Sequence, residues 1–595
     1  MVNEIIRSRL SLLRAAMEKA GVSAYCINSS DYHNSEYVSP YFGVREFFSG
    51  FTGSNGTLIV TQDEAGLWTD GRYFIQAEEE LRGTGISLYK VGTKDAITIE
   101  KYLLSKLNEG DVLGFDGRTV SASKVKKLKK ELKTRGIGIK YKKDLSDGIF
   151  ERPEFPKSPA RLISKDIAGK SSAEKLSDLR KEILEKGADG IFLSKLDEIA
   201  WLFNIRGNDI PFNPVLMSYA YIGRDKAMLF IQSDSVTEEL RNEMLSINVE
   251  LRDYSDVKSF LKSLTMDNKT LVSTKDTSYY LYKTIKKYSE IIDAESPIET
   301  PKAVKNEVEL MHIKKTYLRD SLALIKFIHN LSKNIGEKPY TEYSAAEELL
   351  SFRKAIPEFM EPAFDTISAY RGNAAMMHYS PSADRPVELE KKGMLLVDSG
   401  GQYIGGTTDV TRTLILGEIS EEERFAYTLV CCSMLNLLYS RFLSGATGRN
   451  LDTLARIRLW NEGFDYKCGT GHGIGYMLNV HEGPHTIRMQ NAGSDPALLP
   501  GMLVTDEPGI YRAGRYGIRT ENVLVVREDI LTEDGQFLKF ENLTFVPIDD
   551  RGMDRSIMTE RELSLYIKYQ TEVCNALNPY LTDEERVWIK GYAGI

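Results

Sequence analysis

The feature that most constrains this chain is a pair of glycine-punctuated apolar runs that carry carboxylates where strands would bury them. Residues 393–416, GMLLVDSGGQYIGGTTDVTRTLIL, read as a strand, a Gly-rich turn and a returning strand, and residues 501–526, GMLVTDEPGIYRAGRYGIRTENVLVV, read the same way. Asp398 closes the run Leu395-Leu396-Val397, and Asp409 lies on the returning strand. Glu507 closes the run that starts Met502-Leu503-Val504, and Glu521 lies on its return between Ile518 and Val523. Carboxylates almost never bury unless paired or metal-bound. Each one alone reads as a strand end reaching water. Four on the apolar strands of one domain repel each other unless a cation sits among them. The two runs align at an offset of 108 residues, Gly393-Met394-Leu395 with Gly501-Met502-Leu503 and Asp398 with Asp506, so this domain reads as a pseudo-duplicate.

Histidine placement points the same way. Of seven histidines, four fall between positions 378 and 485: His378, His472, His481 and His485. His472 sits in GTGHGIG, where glycines permit close backbone approach. One such histidine reads as structural; with four strand carboxylates in the same domain the set reads as a metal centre. Four carboxylates and one imidazole without a thiolate form a hard, oxygen-rich set. That set suits Mn²⁺, Mg²⁺ or Fe²⁺ better than a structural zinc. Four carboxylates also carry more charge than one divalent ion balances. Two ions bridged by carboxylates and a water, about 3.5–4 Å apart, answer it.

At 595 residues the chain is too long for one core. Two proline-bearing segments read as linkers: ERPEFPKSPA with Pro153, Pro156 and Pro159, and ESPIETPK with Pro297 and Pro301. The domains expected are 1–157, 158–300 and 301–547, with 548–595 as an extension of the third. The first two read as copies of one unit. Leu10-Ser11-x-Leu13-Arg14, Gly21 and Asp31 recur 166 residues later as Leu176-Ser177-x-Leu179-Arg180, Gly187 and Asp197. Each copy reads as an amphipathic helix, a glycine stop and a short apolar strand, Ala24–Ile27 and Gly190–Leu193.

Composition narrows the function classes. The formal net charge of -8 argues against nucleic acid as the main partner. Lys124 to Lys143 holds ten Lys or Arg, but Val125, Leu128 and Leu132 recur at helical spacing, so it reads as an amphipathic helix with a solvated cationic face. The five cysteines are odd in number and include no CxxC pair, so no disulfide framework and no zinc knuckle is expected. No apolar run approaches the roughly 18 residues of a membrane span. The N-terminal MVNEIIRSRLSLLRAAMEKAG is amphipathic and lacks a signal-peptide core. A cytoplasmic protein without a membrane partner is expected.

The order Asp398, Asp409, His472, Glu507, Glu521, in the contexts LLVDSG, GGTTDVTRT, GTGHGIG, TDEPG and GIRTEN, resembles the five-ligand signature of the creatinase/prolidase superfamily of metallopeptidases. FSGFTGS and LWTDGRY in the first segment, and LDEIAWLFN with Arg206-Gly207 and Asn213-Pro214 in the second, resemble the N-terminal domains of the cytosolic three-domain Xaa-Pro aminopeptidases. The resemblance covers most of the chain. It implies an α/β (α+β) chain of two creatinase-like domains with mixed sheets and a pita-bread catalytic domain. It implies that those five residues bind two divalent ions, Mn²⁺ first, with Zn²⁺, Co²⁺ or Fe²⁺ as alternatives. It implies hydrolysis of the N-terminal Xaa-Pro bond, with Glu507 accepting the proton of a metal-bridging water. His378 in MMHYSP and His481 in NVHEGP are implied to contact the scissile carbonyl or the leaving nitrogen, with Tyr511, His485 and Arg45 as further substrate-side residues and Arg519, two residues before Glu521, as an arginine that supports the ligands and also faces the substrate. Cys468 stands where many relatives carry a histidine and reads as a small, space-filling residue.

Two rival readings remain open. A prolidase, which cleaves Xaa-Pro dipeptides, uses the same metal chemistry, and only the resemblance of the N-terminal domains argues for the aminopeptidase. A non-catalytic binding module on the same fold would have lost ligands that are all present here. A homodimer is expected, with residues 548–595 at the contact because of Leu563, Leu565, Ile567 and the aromatics Tyr566, Tyr569, Tyr580 and Trp588.

Overall fold

The N-terminal amphipathic pattern forms the helix Val2–Ala20, whose stripe Ile6, Leu10, Leu13, Met17 is buried. Gly21, at φ +60°, ends it and admits the turn into the strand Ala24–Asn28. That strand lies inside a six-stranded sheet of spatial order 87–90, 65–69, 57–61, 24–28, 112–115, 138–140. A second six-stranded sheet has the order 249–253, 227–231, 218–223, 190–193, 269–272, 290–293. Both run through the same pairings: parallel, antiparallel, antiparallel, parallel, parallel. The duplication read in the sequence is thus a duplication of topology. In the second copy Leu176 and Leu179 of the helix Ser172–Glu185 are buried like Leu10 and Leu13. The lysine-rich stretch forms the helix Ala122–Lys133, which buries Val125 and Leu132 and turns its lysines outward.

The computed structural model describes residues 2–489 and 495–595. It divides into two compact units, Met1–Glu299 with both six-stranded sheets, and Thr300–Ile595. Among the described residues no helix is long and apolar enough to cross a membrane.

The second unit opens with the long helix Glu307–Asn334, capped by Asn306 with Glu309 in a capping box, which buries Ala323, Leu324, Phe327 and Ile328. The strand Met394–Ser399 is central in a three-stranded antiparallel sheet, between Ile367–Tyr370 and Val410–Ile415. The strand Leu503–Asp506 edges a four-stranded sheet of order 441–443, 535–542, 522–532, 503–506. The helices Glu421–Leu438 and Gly448–Trp460 share one apolar core with these sheets.

The C-terminal helix Glu560–Leu577 departs from expectation. Tyr566 and Tyr569 are 0% exposed and pack into their own unit, so they offer nothing to a partner surface. The exposed apolar residues of this segment are Ile567, Tyr580, Val587 and Ile595.

Two buried ion clusters tie the unit together. Arg353 and Asp320 are almost fully buried, with Nε donating to Oδ1 at 2.7 Å, and the Tyr403 hydroxyl donates to the same oxygen. Lys302 and Lys305 both reach the buried Glu482. Removing one partner of such a pair leaves the other charge buried and uncompensated, at about 3–5 kcal/mol. Asp320→Ala is therefore expected to lower unfolding free energy by about that amount, and Asp320→Leu with Arg353→Met to recover most of it, as read by denaturant unfolding.

Candidate metal centre

Strand alternation decides which carboxylates meet. Asp398 pairs across the sheet with Thr411, and Asp409 directly precedes the strand Val410–Ile415. Glu507 directly follows the strand Leu503–Asp506, and Glu521 directly precedes Asn522–Thr532. The Glu521 N–H donates to the Thr411 carbonyl at 3.1 Å, which stitches the two hairpins together. The third contributor, Gly471–Gly473, lies against Leu503–Asp506: the Glu507 N–H donates to Thr470 O at 2.8 Å and the His472 N–H to Thr505 Oγ1 at 2.9 Å. Only glycine allows this approach. A Cβ on Gly471 would stand 1.9 Å from Thr505 O, and one on Gly473 would stand 2.3 Å from Glu482 O.

Asp409, His472 and Glu521 each bring a ligand atom within 4.8 Å of the others. His472 Nε2 stands 3.6 Å from Asp409 Oδ2 and 3.5 Å from Glu507 Oε1. Its Nδ1 is 2.9 Å from Gly473 O. A carbonyl accepts only, so Nδ1 carries the proton and Nε2 presents a lone pair to the carboxylates. Asp398 Oδ2 accepts from Arg519 Nη2, while its Oδ1 is buried without a hydrogen-bond partner. Glu521 Oε2 accepts from the Thr411 hydroxyl at 2.6 Å and Glu507 Oε1 from the Thr505 hydroxyl at 3.1 Å. A bare Asp398 oxygen, a directed imidazole lone pair and converging hard oxygens fit divalent cations.

The electrostatics agree. Burial, then the charges of Asp398 and Glu507, push the Asp409 carboxyl well above its ordinary range. Burial, then Asp409, Glu507 and Asp398, do the same to Glu521. Glu507 is pushed up to about 7, chiefly by burial, with Arg519 opposing and Asp398 adding. Two like charges near 4 Å repel by about 4 kcal/mol at an effective dielectric of about 20. That exceeds the net value of a hydrogen bond, about 1 kcal/mol, so a cation and not the threonines must balance the ionised set.

The remaining expected residues separate. His481 lies beside His472, with ring centroids 4.4 Å apart in an edge-on arrangement. His378 is half-buried in the turn after residues 371–375, which pack on the hairpin 509–519, where Ala374 O would meet a Cβ on Gly517 at 1.7 Å. Three assignments need correction. Arg519 is 3% exposed and donates to Asp398, Thr411 and Tyr511, so it braces the carboxylate cluster from behind and does not grip substrate. His485 is 1% exposed; its Nε2 bonds Leu503 O at 2.6 Å and its ring fills the space beside Gly473, with burial pushing its pKa down to about 4. Arg45 is 5% exposed and binds the carbonyls of Phe51 and Gly53 and the Ser29 hydroxyl inside the first unit, so it is buried against its own backbone and does not face a peptide. Tyr511 is held by Arg519 Nη1 at 2.7 Å. Cys468 is partly buried, and burial, with the Glu507 charge adding, pushes its thiol up to about 12, so it stays protonated.

Sequence reasoning missed Thr411 and Thr505. The signal was present: each stands two residues from one of the four candidate carboxylates along an extended run, hence on the same face. It also misaligned Asp398 with Asp506. Asp506 turns the other way into the core, where burial raises its carboxyl well above the ordinary range, and Glu507 takes the site position one residue later.

Comparison with known proteins places each segment. Residues 9–140 and 151–309 match creatinase/prolidase N-terminal domains, residues 312–528 match metallopeptidase family M24, and residues 536–593 match the C-terminal region of peptidase M24. The chain is 37% identical to Xaa-Pro aminopeptidase 1 of Dictyostelium discoideum over 97% of this chain and 94% of that protein. It is 38% identical to a probable Xaa-Pro aminopeptidase P of Botryotinia fuckeliana over 97% of this chain and 90% of that one. Its fold superposes with a TM-score of 0.93, at 32% identity and over 99% of both chains, on the crystal structure of X-prolyl aminopeptidase from Caenorhabditis elegans, described as a cytosolic enzyme with a di-nuclear active site.

A pH dependence follows from Glu507. Its folded value of about 7 lies above its ordinary 4.5, so the metal-free folded protein binds more protons than the unfolded chain between them. That contribution to stability is present at low pH and is lost as pH rises through about 7. Divalent metal should remove the penalty and release protons on binding. Calorimetric titration near neutral pH in two buffers of different ionisation enthalpy is expected to show net proton release, and the metal-induced rise in Tm should grow with pH across this window.

Proposed function

The chain belongs to the Xaa-Pro aminopeptidases of metallopeptidase family M24, and from that premise we propose that it removes the first residue of peptides with proline second, using two divalent ions held by Asp398, Asp409, His472, Glu507 and Glu521. The observation that carries this is the convergence of Asp409, His472 and Glu521 within 4.8 Å, with the His472 Nε2 lone pair turned to the carboxylates. Mn²⁺ is the proposed ion, from the hardness of the donor set. Bound there, two ions would supply a water made acidic near neutral pH and Lewis acidity toward the scissile carbonyl.

The protein's own groups then divide the proton work. Glu507, at about 7, can accept a proton from the water and return it at the same pH. The prolyl nitrogen belongs to a tertiary amide and must gain that proton to leave. His481, packed against His472, and His378 are the donors proposed for the developing oxyanion or the leaving nitrogen. Arg519 keeps Asp398 aimed, and Tyr511, fixed by Arg519, offers an apolar wall for the proline ring. Proline presents no N–H, so a wall without an acceptor selects it.

The proposed assembly is a homodimer, as the resemblance to three-domain enzymes implies, with Ile567, Tyr580 and Val587 as what the C-terminal segment can contribute. Sedimentation at micromolar concentration is expected to give twice the chain mass. A cytoplasmic location is proposed from the five free cysteines and from the cytosolic description of the worm enzyme.

Hydrolysis of Arg-Pro-Pro against Arg-Ala-Pro tests the activity. With Mn²⁺ supplied, kcat/KM should favour the proline peptide by at least about tenfold. Equal values would remove proline from the description. In the same assay His378→Ala and His481→Ala should lower kcat with metal content unchanged, and loss of metal in either would make that residue a ligand.

A further inference from the structure

The C-terminal helix Glu560–Leu577 reaches the metal hairpins through one buried cation. Arg412, one residue past Thr411, is 1% exposed. A buried guanidinium usually answers a carboxylate; the partners of this one are neutral oxygens. Nη1 donates to Thr411 O at 2.8 Å and to Glu521 O at 2.6 Å. Nη2 reaches Asn522 Oδ1 at 2.8 Å, Val546 O at 2.7 Å and the Tyr569 hydroxyl at 2.7 Å. Tyr569 is 0% exposed and donates its proton to Val546 O at 2.7 Å, so its lone pair is left for Arg412.

Glu521 is thereby held at three atoms. Its N–H donates to Thr411 O, its C=O accepts from Arg412, and its side-chain Oε2 accepts from the Thr411 hydroxyl. The Thr411 carbonyl takes part twice, toward Glu521 N and toward Arg412 Nη1. A fork of fixed, planar geometry sets both strand ends at once, which a lysine does not.

We infer that Arg412 and Tyr569 are positioning residues of the metal centre, and that the C-terminal segment aims the Glu521 carboxylate by holding the Arg412 fork in place. The inference rests on the reading of Glu521 as a ligand. Tyr569→Phe removes one of the three acceptors of Arg412 Nη2, one of the two donors to Val546 O and the acceptor of Asn522 Nδ2 at 3.3 Å, while keeping the ring. Supporting hydrogen bonds of this kind usually contribute ten- to a hundredfold to metal affinity. The neighbouring Gln570 gives the control: it bonds Ile548, Tyr566 and Ala593 and none of the Arg412 atoms.

The test is titration of the metal-stripped full chain with Mn²⁺, read as stoichiometry and Kd, beside kcat and KM on an Xaa-Pro-Yaa peptide. Tyr569→Phe is expected to weaken one Mn²⁺ by about tenfold or more and to lower kcat at limiting metal with KM unchanged. Gln570→Ala is expected to lower the unfolding midpoint and leave the Mn²⁺ Kd at the wild-type value. Glu521→Gln is expected to lose one equivalent. If Glu521→Gln binds both ions as tightly as wild type, the ligand reading fails and the inference goes with it. If Glu521→Gln loses an ion while Tyr569→Phe keeps wild-type Kd and kcat, the positioning role alone is refuted. Equal weakening by Gln570→Ala would refute it too, since a loosened helix would then explain the effect. Should Tyr569→Phe not fold, Arg412→Lys takes its place against the same outcomes.

Discussion

Repulsion among Asp398, Asp409, Glu507 and Glu521 organises the second unit. These side chains sit at or beside the ends of strands that are buried where they approach the site, so their charges meet where water screens them poorly. Hydrogen bonds from Thr411, Thr505 and Arg519 aim the oxygens, but one guanidinium against four carboxylates leaves the set negative. The fold holds this arrangement ready for cations by fixing every strand end from two sides.

The fixing elements come from far apart in the chain. Gly471 lets the histidine strand press against Leu503–Asp506, and Gly473 lets it press against Glu482 and His485. His485 fills the space behind Gly473, and Glu482, anchored by Lys302 and Lys305, holds the strand that follows His481. Arg412 closes the network from the side of the C-terminal helix. A metal site accurate to a few tenths of an ångström needs this kind of support, because ligands on unsupported side chains relax away from each other.

Much of the candidate site was legible because strand chemistry leaves a plain mark. Asp398, Asp409, Glu507 and Glu521 stand out as carboxylates inside apolar runs, and His472 stands out between glycines. Duplication in the first unit was legible as well, since Leu10, Leu13 and Leu176, Leu179 recur with their glycine stops. Arg45 and His485, and Arg519 in its substrate-side part, were misread because a charged or imidazole side chain looks the same in sequence whether it meets a peptide or its own protein. Tyr566 and Tyr569 were misread for the matching reason: an aromatic stripe reads as a partner surface until the core that receives it is known.

By itself the sequence determined residue type and periodicity, and these are local quantities: which strands carry carboxylates, which helices carry one apolar face, where glycine is unavoidable, how hard the donor set is. Tertiary structure alone decided register and facing. It turned Asp506 inward, joined Thr411 to Glu521 across more than a hundred residues, and set Arg412 between the Glu521 carbonyl and the hydroxyl of Tyr569. The physical reason is that a one-residue shift on a strand exchanges its two faces, and a hydrogen bond depends on tenths of an ångström between atoms whose separation along the chain carries no such information.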